Sequence, residues 1–148
     1  MKLMDILRVK GTSVHCIAPQ AKLCDVIHQL CEYNIGSLVV REDMGGRPGR
    51  VLGIITERDI VRGLKSNGPD LLSKSVRDLM TAKVLTCAPH DRAVDIMALM
   101  MSRHVHHVPV LTTGSLVGMV TVRDLLQLHF EEALAEAEAM QKYISGSE

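Results

Sequence analysis

This chain of 148 residues has few aromatic residues, no excess of positive or negative charge and no long apolar run. Aromatics make up 2% of the residues and Trp is absent, while 47% are apolar, so the core must be aliphatic and rich in Met. Lys plus Arg equals Asp plus Glu at 17 each, a balance that excludes the basic footprint of a nucleic-acid or membrane-surface protein. No apolar run approaches the roughly 20 residues that span a bilayer, and the N-terminus lacks a signal-peptide pattern. These absences predict a cytoplasmic protein that binds neither nucleic acid nor membrane.

Local motifs of common enzymes are also missing. The four Cys form no Cys-x-x-Cys pair, and the Gly-rich stretch 45–49 lacks the Lys-Ser/Thr that completes a phosphate-binding loop. No nucleophile motif or spaced carboxylate pair is present, which argues against catalysis. Cys24 and Cys31 lie seven residues apart on a predicted helix, and Val94 and Met101 replace them in the second half. We therefore interpret the two Cys as small core residues rather than as redox sensors.

One seven-residue pattern occurs twice in the chain. Residues 53–59 read GIITERD and residues 118–124 read GMVTVRD, so Gly, Thr, Arg and Asp recur at the same spacing. The copies are offset by 65 residues, whereas upstream positions such as Pro19 and Pro89 are offset by 70. A surface turn five residues longer in the first half explains the difference. The duplication predicts two similar halves related by a pseudo-twofold axis.

Each half shows the order strand, helix, strand, strand, helix. In the first half we predict a strand at 13–18, a helix opened by Asp25 and capped by left-handed Asn34, strands at 36–40 and 51–55 around a turn at 43–50, and a helix from Thr56. In the second half we predict a short helix at 76–80, a strand at 84–87, a helix with an apolar stripe, and strands at 105–110 and 116–120. That stripe comprises Val94, Met97, Ala98 and Met101.

Two further helices are predicted at the ends of the chain. The first spans residues 1–9, and the closing helix spans 125–144. One face of the closing helix is apolar, formed by Phe130, Ala133, Leu134, Ala137, Met140 and Ile144. We expect this face to contact a second subunit.

The repeated polar residues sit where a strand meets a helix. Thr56 and Thr121 lie beside helix N-terminal N–H groups, which favour anions such as phosphate. Asp59 and Asp124 lie three residues further on, where a carboxylate can bind the two hydroxyls of a ribose. The same residues can instead act only as N-caps and capping-box partners. Both interpretations remain open from the residues alone.

The repeated plan with its Gly-apolar-apolar-Thr-x-x-Asp motif resembles the cystathionine-beta-synthase-like (CBS) domain, of which two in tandem form a Bateman module. The resemblance implies an α/β fold of two pseudo-twofold-related β-α-β-β-α repeats with small three-stranded sheets and flanking helices. We place CBS domain 1 at 5–66, CBS domain 2 at 74–128 and a C-terminal amphipathic helix at 129–148. The flanking segments are similar to those of stand-alone bacterial CBS-pair proteins.

By resemblance, the cleft between the domains would bind an adenosyl nucleotide: AMP, ADP, ATP, NAD or S-adenosylmethionine. No catalytic cofactor or metal is implied. Thr56 with Asp59 and Thr121 with Asp124 would hold the ribose, and the Arg beside each Asp suits a phosphate. The full set of implied nucleotide-binding residues is Val14, Cys16, Ser37, Thr56, Arg58, Asp59, Thr86, His106, His107, Pro109, Thr121, Arg123 and Asp124.

The phosphates would approach the stretch from His106 to Val110. Its first-half counterpart, 36–40, lacks both the His pair and the Pro. This difference predicts that the second-half site is the better one for a phosphate. His104 and His106 also suggest metal ligands, but spacing specifies no third ligand, and phosphate contact is the favoured interpretation. If His106 meets a phosphate, affinity should rise as pH falls through about 6.5.

The function implied by the resemblance is ligand sensing, in which a nucleotide changes the conformation of the module or its partner binding. A homodimer and an unknown effector protein acting in trans are the expected partners. The alternative is a ligand-independent dimerisation scaffold, which requires only the apolar helix faces.

Overall fold

A computed structural model describes residues 1–146 of the chain. It contains six α-helices in the described part: α1 (Leu3–Lys10), α2 (Leu23–Tyr33), α3 (Glu57–Asn67), α4 (Val76–Leu79), α5 (Ala93–Arg103) and α6 (Val122–Ile144). The strands are β1 (Cys16–Ile17), β2 (Ser37–Met44), β3 (Arg47–Thr56), β4 (His107–Thr112) and β5 (Ser115–Thr121), and a 3-10 turn spans Gly68–Ser73. Residues 147 and 148 of the predicted C-terminal segment lie outside the described residues.

The first half forms a three-stranded sheet in the order β1-β2-β3. β1 pairs in parallel with β2, and β2 pairs antiparallel with β3. The prediction of a turn-rich insert at 43–50 is wrong, because the ladder continues to the pair Met44 and Arg47. Only Gly45 and Gly46 turn the chain, with φ of 62° and 83°. Positive φ at both central residues fits the twist of a hairpin, so the insert lengthens the strands.

The second half repeats the hairpin of the first half, but its opening strand is shorter. β4 and β5 form a two-stranded sheet, and Cys87 joins Val110 through an isolated parallel bridge. The strand predicted at 84–87 is therefore reduced to this single bridge, just as the strand predicted at 13–18 is reduced to β1. The pairing of Ile17 with Val40 is the equivalent contact at an offset of 70. The repeat thus persists in register even where the strand is nearly lost.

Helices α2 and α5 begin and end at equivalent residues. Asn34 and His104 both adopt the left-handed conformation after the last turn, with φ of 51° and 54°, which confirms the predicted cap at Asn34. The predicted stripe of α5 is displaced by one residue: Ile96 and Met100 are buried, whereas Met101 is 69% exposed. One residue is about 100° of helix rotation, so this shift moves the core to a different face.

The outward faces of α2 and α5 also carry the residues that we interpreted as core. Val94 and Ala98 are exposed on α5, and Cys24 and Cys31 are exposed on α2, so the interpretation of these two Cys as core residues is wrong. The buried thiol is that of Cys87, whose pKa burial raises to about 12.

Each half is covered by a short helix from the segment that precedes the other half. α1 packs into the core of the second half through Leu3, Ile6 and Leu7. Conversely, Val76 of α4 packs into the core of the first half. The two halves then meet in a third apolar cluster centred on Val39, Ile54 and Met119. These segments therefore pack the two halves together.

The closing helix extends beyond the described core. α6 starts at Val122, earlier than predicted, and its Leu125 is buried in the second half. All six residues of the predicted apolar face are exposed on the chain itself. This face is therefore available to another surface.

Candidate functional site

Both copies of the repeated motif form the same strand-to-helix junction. Thr56 is the N-cap of α3, and its N–H donates to Asp59 Oδ2 at 3.0 Å. Thr121 is the N-cap of α6, and its N–H donates to Asp124 Oδ2 at 2.9 Å. In each copy the Asp N–H donates back to the Thr Oγ1, at 3.5 and 3.2 Å respectively. The predicted capping boxes are present, so these residues have a structural role whatever else they bind.

Asp59 makes an additional contact that Asp124 does not make. The Thr81 hydroxyl donates to Asp59 Oδ1 at 3.0 Å, and Asp59 is only 8% exposed. Thr81 and Ile54 also exchange two backbone hydrogen bonds, at 2.8 and 3.0 Å. The segment that leads into the second half is thereby held against the first motif.

An open cleft of about 1130 Å³ lies beside the first motif. We call it the first cleft. Its lining combines α3 with residues 81–85 and 103–107, and the residues with functional groups are Thr56, Glu57, Arg58, Asp59, Arg62, Thr81, Lys83, Arg103, His104, His106 and His107. The volume suffices for a ligand of nucleotide size.

The side chains of His106 and His107 line the first cleft, although their backbone lies at the second hairpin. His107 pairs with Thr121 in the β4–β5 ladder, and the His106 carbonyl accepts from the Val122 N–H at 3.0 Å. The same two residues nevertheless line the first cleft with Thr56 and Asp59. The sequence prediction grouped them with the second motif, which they adjoin along the hairpin, whereas their side chains also line the cleft beside the first motif.

Positive charge is in excess around the first cleft. Four permanent cations line it, namely Arg58, Arg62, Lys83 and Arg103, against the carboxylates of Glu57 and Asp59. Arg58 Nη1 also donates to the His104 carbonyl at 2.7 Å, which links α3 to the end of α5. The surplus of cations in a concave site favours an anionic ligand.

His107 occupies the boundary between the two motifs. A Cβ at Gly36 would lie 2.9 Å from its Nε2, so the glycine leaves room for the imidazole. Burial lowers the pKa of His107 below its ordinary value of 6.5, while the charge of Glu57 partly opposes that effect. His107 is therefore a neutral hydrogen-bonding group near neutral pH.

The equivalent surface around Thr121 and Asp124, which we call the second-motif surface, has different chemistry. Lys10 Nζ donates to Asp124 Oδ2 at 2.6 Å and to the Met119 carbonyl at 2.8 Å. The positions equivalent to Arg62, Lys83 and Arg103 hold uncharged residues, namely Gln127, Ser13 and Tyr33. The Tyr33 ring stacks on His15 with centroids 4.1 Å apart. This surface has lost most of the cations that distinguish the first cleft.

The other predicted binding residues are distributed unevenly. Val14 and Cys16 pack against the cluster between the halves, where Val84 also lies. Ser37 is buried and pairs with Thr56 in the β2–β3 ladder.

Five of the predicted binding residues line the first cleft, namely Thr56, Arg58, Asp59, His106 and His107, and the others lie away from its lining. Thr86 is exposed and does not line it, and Pro109 is buried within β4. The sequence prediction missed Arg62, Lys83 and Arg103, which come from three separate segments; only Arg62, one helical turn after Arg58, carried a local signal.

Two other classes of site are absent from the described residues. Within 1–146, no three His, Cys, Asp or Glu side chains cluster as metal ligands would. No helix in that range combines the length and the apolar character needed to cross a bilayer.

Comparison with known proteins agrees with the repeated architecture. The family model described as the CBS domain matches residues 5–66 and 76–131. The chain is 29% identical to the mitochondrial CBS domain-containing protein CBSX3 of Arabidopsis thaliana, over 97% of this chain and 72% of that protein. The crystal structure of the CBS-domain protein ATU1752 from Agrobacterium tumefaciens superposes with a TM-score of 0.80 at 31% identity, covering 85% of this chain and 91% of that one.

A further structural relative was solved with ligands. The CBS domain pair of protein MJ0100, in complex with 5′-methylthioadenosine and S-adenosyl-L-methionine, superposes with a TM-score of 0.73 at 24% identity, covering 89% of this chain and 98% of that one. The two family matches, the two capping-box motifs and the two hairpins in register agree with this fold. The chain therefore belongs to the CBS-domain family and carries two CBS domains in tandem.

Proposed function

We propose that this protein is a regulatory module that binds a phosphorylated adenosyl nucleotide in the first cleft. The observation that carries the proposal is the convergence of a carboxylate at a helix N-terminus with four cations around one open cavity. CBS-pair proteins are typically regulatory rather than catalytic, and the lining of the first cleft contains no Ser or Cys that could act as a nucleophile. Binding and signalling are therefore the proposed activity.

The proposed ligand orientation follows from the polar groups of the cleft. Asp59 would accept hydrogen bonds from the ribose hydroxyls, because its two oxygens retain acceptor capacity beyond the Thr56 and Thr81 contacts. The phosphates would lie toward Arg62, Lys83 and Arg103, where a guanidinium can form paired hydrogen bonds with phosphate oxygens. His106 and His107 line the same cleft and can add hydrogen bonds to the phosphates.

Charge selects among the candidate ligands. The ligands named for MJ0100 show that this fold accommodates an adenosyl group, but neither carries a phosphate. The four cations of the first cleft instead favour AMP, ADP, ATP or NAD, because S-adenosylmethionine brings a positive sulfonium into an already positive site. We place S-adenosylmethionine last among the candidates for this chain.

Binding would be read out through subunit or partner contacts. Large apolar side chains are exposed on helices of both halves, including Val61, Val94, Met101 and Phe130. We propose that they are buried in a homodimer or against an effector protein, and that the nucleotide shifts the packing of these helices. A ligand can do so only if it binds the two arrangements with different affinity.

A ligand-independent scaffold is the second candidate function. It is favoured by the same exposed apolar faces, and by the capping boxes that give Thr56, Asp59, Thr121 and Asp124 a purely structural use. In that case the first cleft would have no nucleotide to bind.

Isothermal titration with AMP, ATP, NAD and S-adenosylmethionine distinguishes the two functions. We expect saturable binding of a phosphorylated ligand, weakened roughly 30-fold or more in Asp59→Ala by loss of two hydrogen bonds to a charged group. Asp124→Ala is the matched control, because it removes an equivalent capping box outside the first cleft. Equal loss in both variants would contradict the assignment to the first cleft, and no binding of any of the four ligands would favour the scaffold.

A further inference from the structure

Lys10 is the last residue of α1, and its side chain reaches the second motif. Its ammonium lies 2.6 Å from Asp124 Oδ2 and 2.8 Å from the Met119 carbonyl oxygen. Two-thirds of the Lys10 side chain and more than three-quarters of the Asp124 side chain are shielded from solvent, at 33% and 22% exposure. A partly shielded, charge-assisted contact of this length is stronger than an ordinary surface ion pair.

The two motifs are held by equivalent chain segments with different chemistry. Met80 and Thr81 precede the second half as Lys10 and Gly11 precede the first strand, at an offset of 70. In the first half, the Ile54 carbonyl accepts from the Thr81 N–H, and Asp59 accepts from the neutral Thr81 hydroxyl. In the second half, one ammonium serves both the equivalent carbonyl and the equivalent carboxylate. The cation has no counterpart in the first half, where Met80 contacts Gly53 instead.

We propose that Lys10 is an internal occupant of the second-motif surface and restricts nucleotide binding to the first cleft, one nucleotide per chain. This inference rests on the proposed function, because it assumes that the ribose of a nucleotide seeks the Asp of the motif. The ammonium lies on Asp124 Oδ2, one of the two oxygens that a ribose diol would contact, and α1 tethers it there. A ligand must displace it, so the apparent affinity is reduced by the fraction of time that Asp124 is free.

The surroundings of Asp124 act in the same direction. With Gln127, Ser13 and Tyr33 in place of three cations, the phosphates of a displacing nucleotide would gain little. The two repeats therefore do not provide two equal nucleotide sites. Specificity for one cleft follows from one lysine on one side and three cations on the other.

The test is the binding stoichiometry of AMP in Lys10→Met, which places the residue type of the equivalent position 80 at position 10. We expect one AMP per chain for the wild-type protein and a second for Lys10→Met, with the second site at least roughly tenfold tighter than in the wild type. Lys10→Ala should behave in the same way if Met disturbs α1, and circular dichroism checks the fold of both. Lys142→Met, an exposed lysine on α6, is the control and should remain at one.

The variant Asp59→Ala locates each site and separates this inference from the proposed function. Combined with Lys10→Met, it should leave one AMP, bound at Asp124. Two AMP per wild-type chain, or one per chain in both Lys10 variants, would overturn the role of Lys10. Binding that appears only when Lys10 is replaced would support Lys10 and overturn the first cleft as the natural site. Absence of binding in every variant would overturn both.

Discussion

The cations of the first cleft provide the sharpest test of the proposed ligand class. We consider the triple variant Arg62→Gln, Lys83→Ser and Arg103→Gln, of which the first two install the residues of the second-motif surface. Arg58 is left in place because its guanidinium bonds the His104 carbonyl and has a structural role. The three substitutions change charge without touching the capping box or Asp59.

The expected loss can be worked from Coulomb's law. A cation roughly 7 Å from a phosphate of about two negative charges gains about 1.2 kcal/mol in water, and screening at physiological salt reduces this to about 0.5 kcal/mol. Three cations then contribute about 1.5 kcal/mol to AMP binding, which is roughly tenfold in affinity. The more highly charged ATP should lose about twice that free energy, or roughly 100-fold.

The assay is isothermal titration of the wild type and the triple variant with adenosine, AMP and ATP, repeated at low and high salt. Adenosine has no phosphate, so its affinity should be unchanged, and the salt sensitivity of AMP and ATP binding should fall in the variant. Arg123→Gln removes the cation next to Asp124 and should change none of these affinities. If adenosine and ATP lose the same factor, or if neither loses any, the phosphates do not lie against these cations and the reasoning is refuted.

Two further predictions concern the fold. Met100→Ala should lower the free energy of unfolding by about 2–5 kcal/mol because Met100 is 1% exposed, whereas Met101→Ala, at 69% exposure, should change it by less than about 0.5 kcal/mol in the monomer. Urea unfolding at a low protein concentration measures both changes. A larger loss in Met101→Ala than in Met100→Ala would place the predicted stripe in the core. Because burial lowers the pKa of His107, the unfolded chain takes up that proton at higher pH, and the free energy of unfolding should fall as pH drops below about 6.5. His107→Gln should flatten this dependence in urea titrations between pH 7 and 5, while replacing the exposed His28 should not, and an unchanged slope in His107→Gln would contradict the lowered pKa.

Much of the fold follows from local patterns that the sequence displays openly. The capping boxes were predictable because Thr and Asp three residues apart at a strand-to-helix junction satisfy each other's backbone groups. The left-handed cap at Asn34 follows from the tolerance of that residue for positive φ. Two copies in register then suffice to identify two CBS domains.

The faces of the helices were less predictable. On α5, Met100 and Met101 are both apolar and point about 100° apart, so periodicity alone could not decide which of them the sheet covers. The exposed Cys24 and Cys31 follow the same logic, because apolar residues at helical spacing look like core whichever face of the helix they lie on.

What the sequence by itself determined is the pair of repeats, the two capping boxes and the family. Only the tertiary structure decided which residues share a site. His107 is next to the second motif along the hairpin and lines the first cleft, and Lys10 reaches Asp124 from a helix more than a hundred residues away in the chain. The physical reason is that the clefts lie between segments that cross from one half to the other. Packing across the pseudo-twofold axis decides which residues are neighbours in such a site. A local sequence pattern carries no information about that packing.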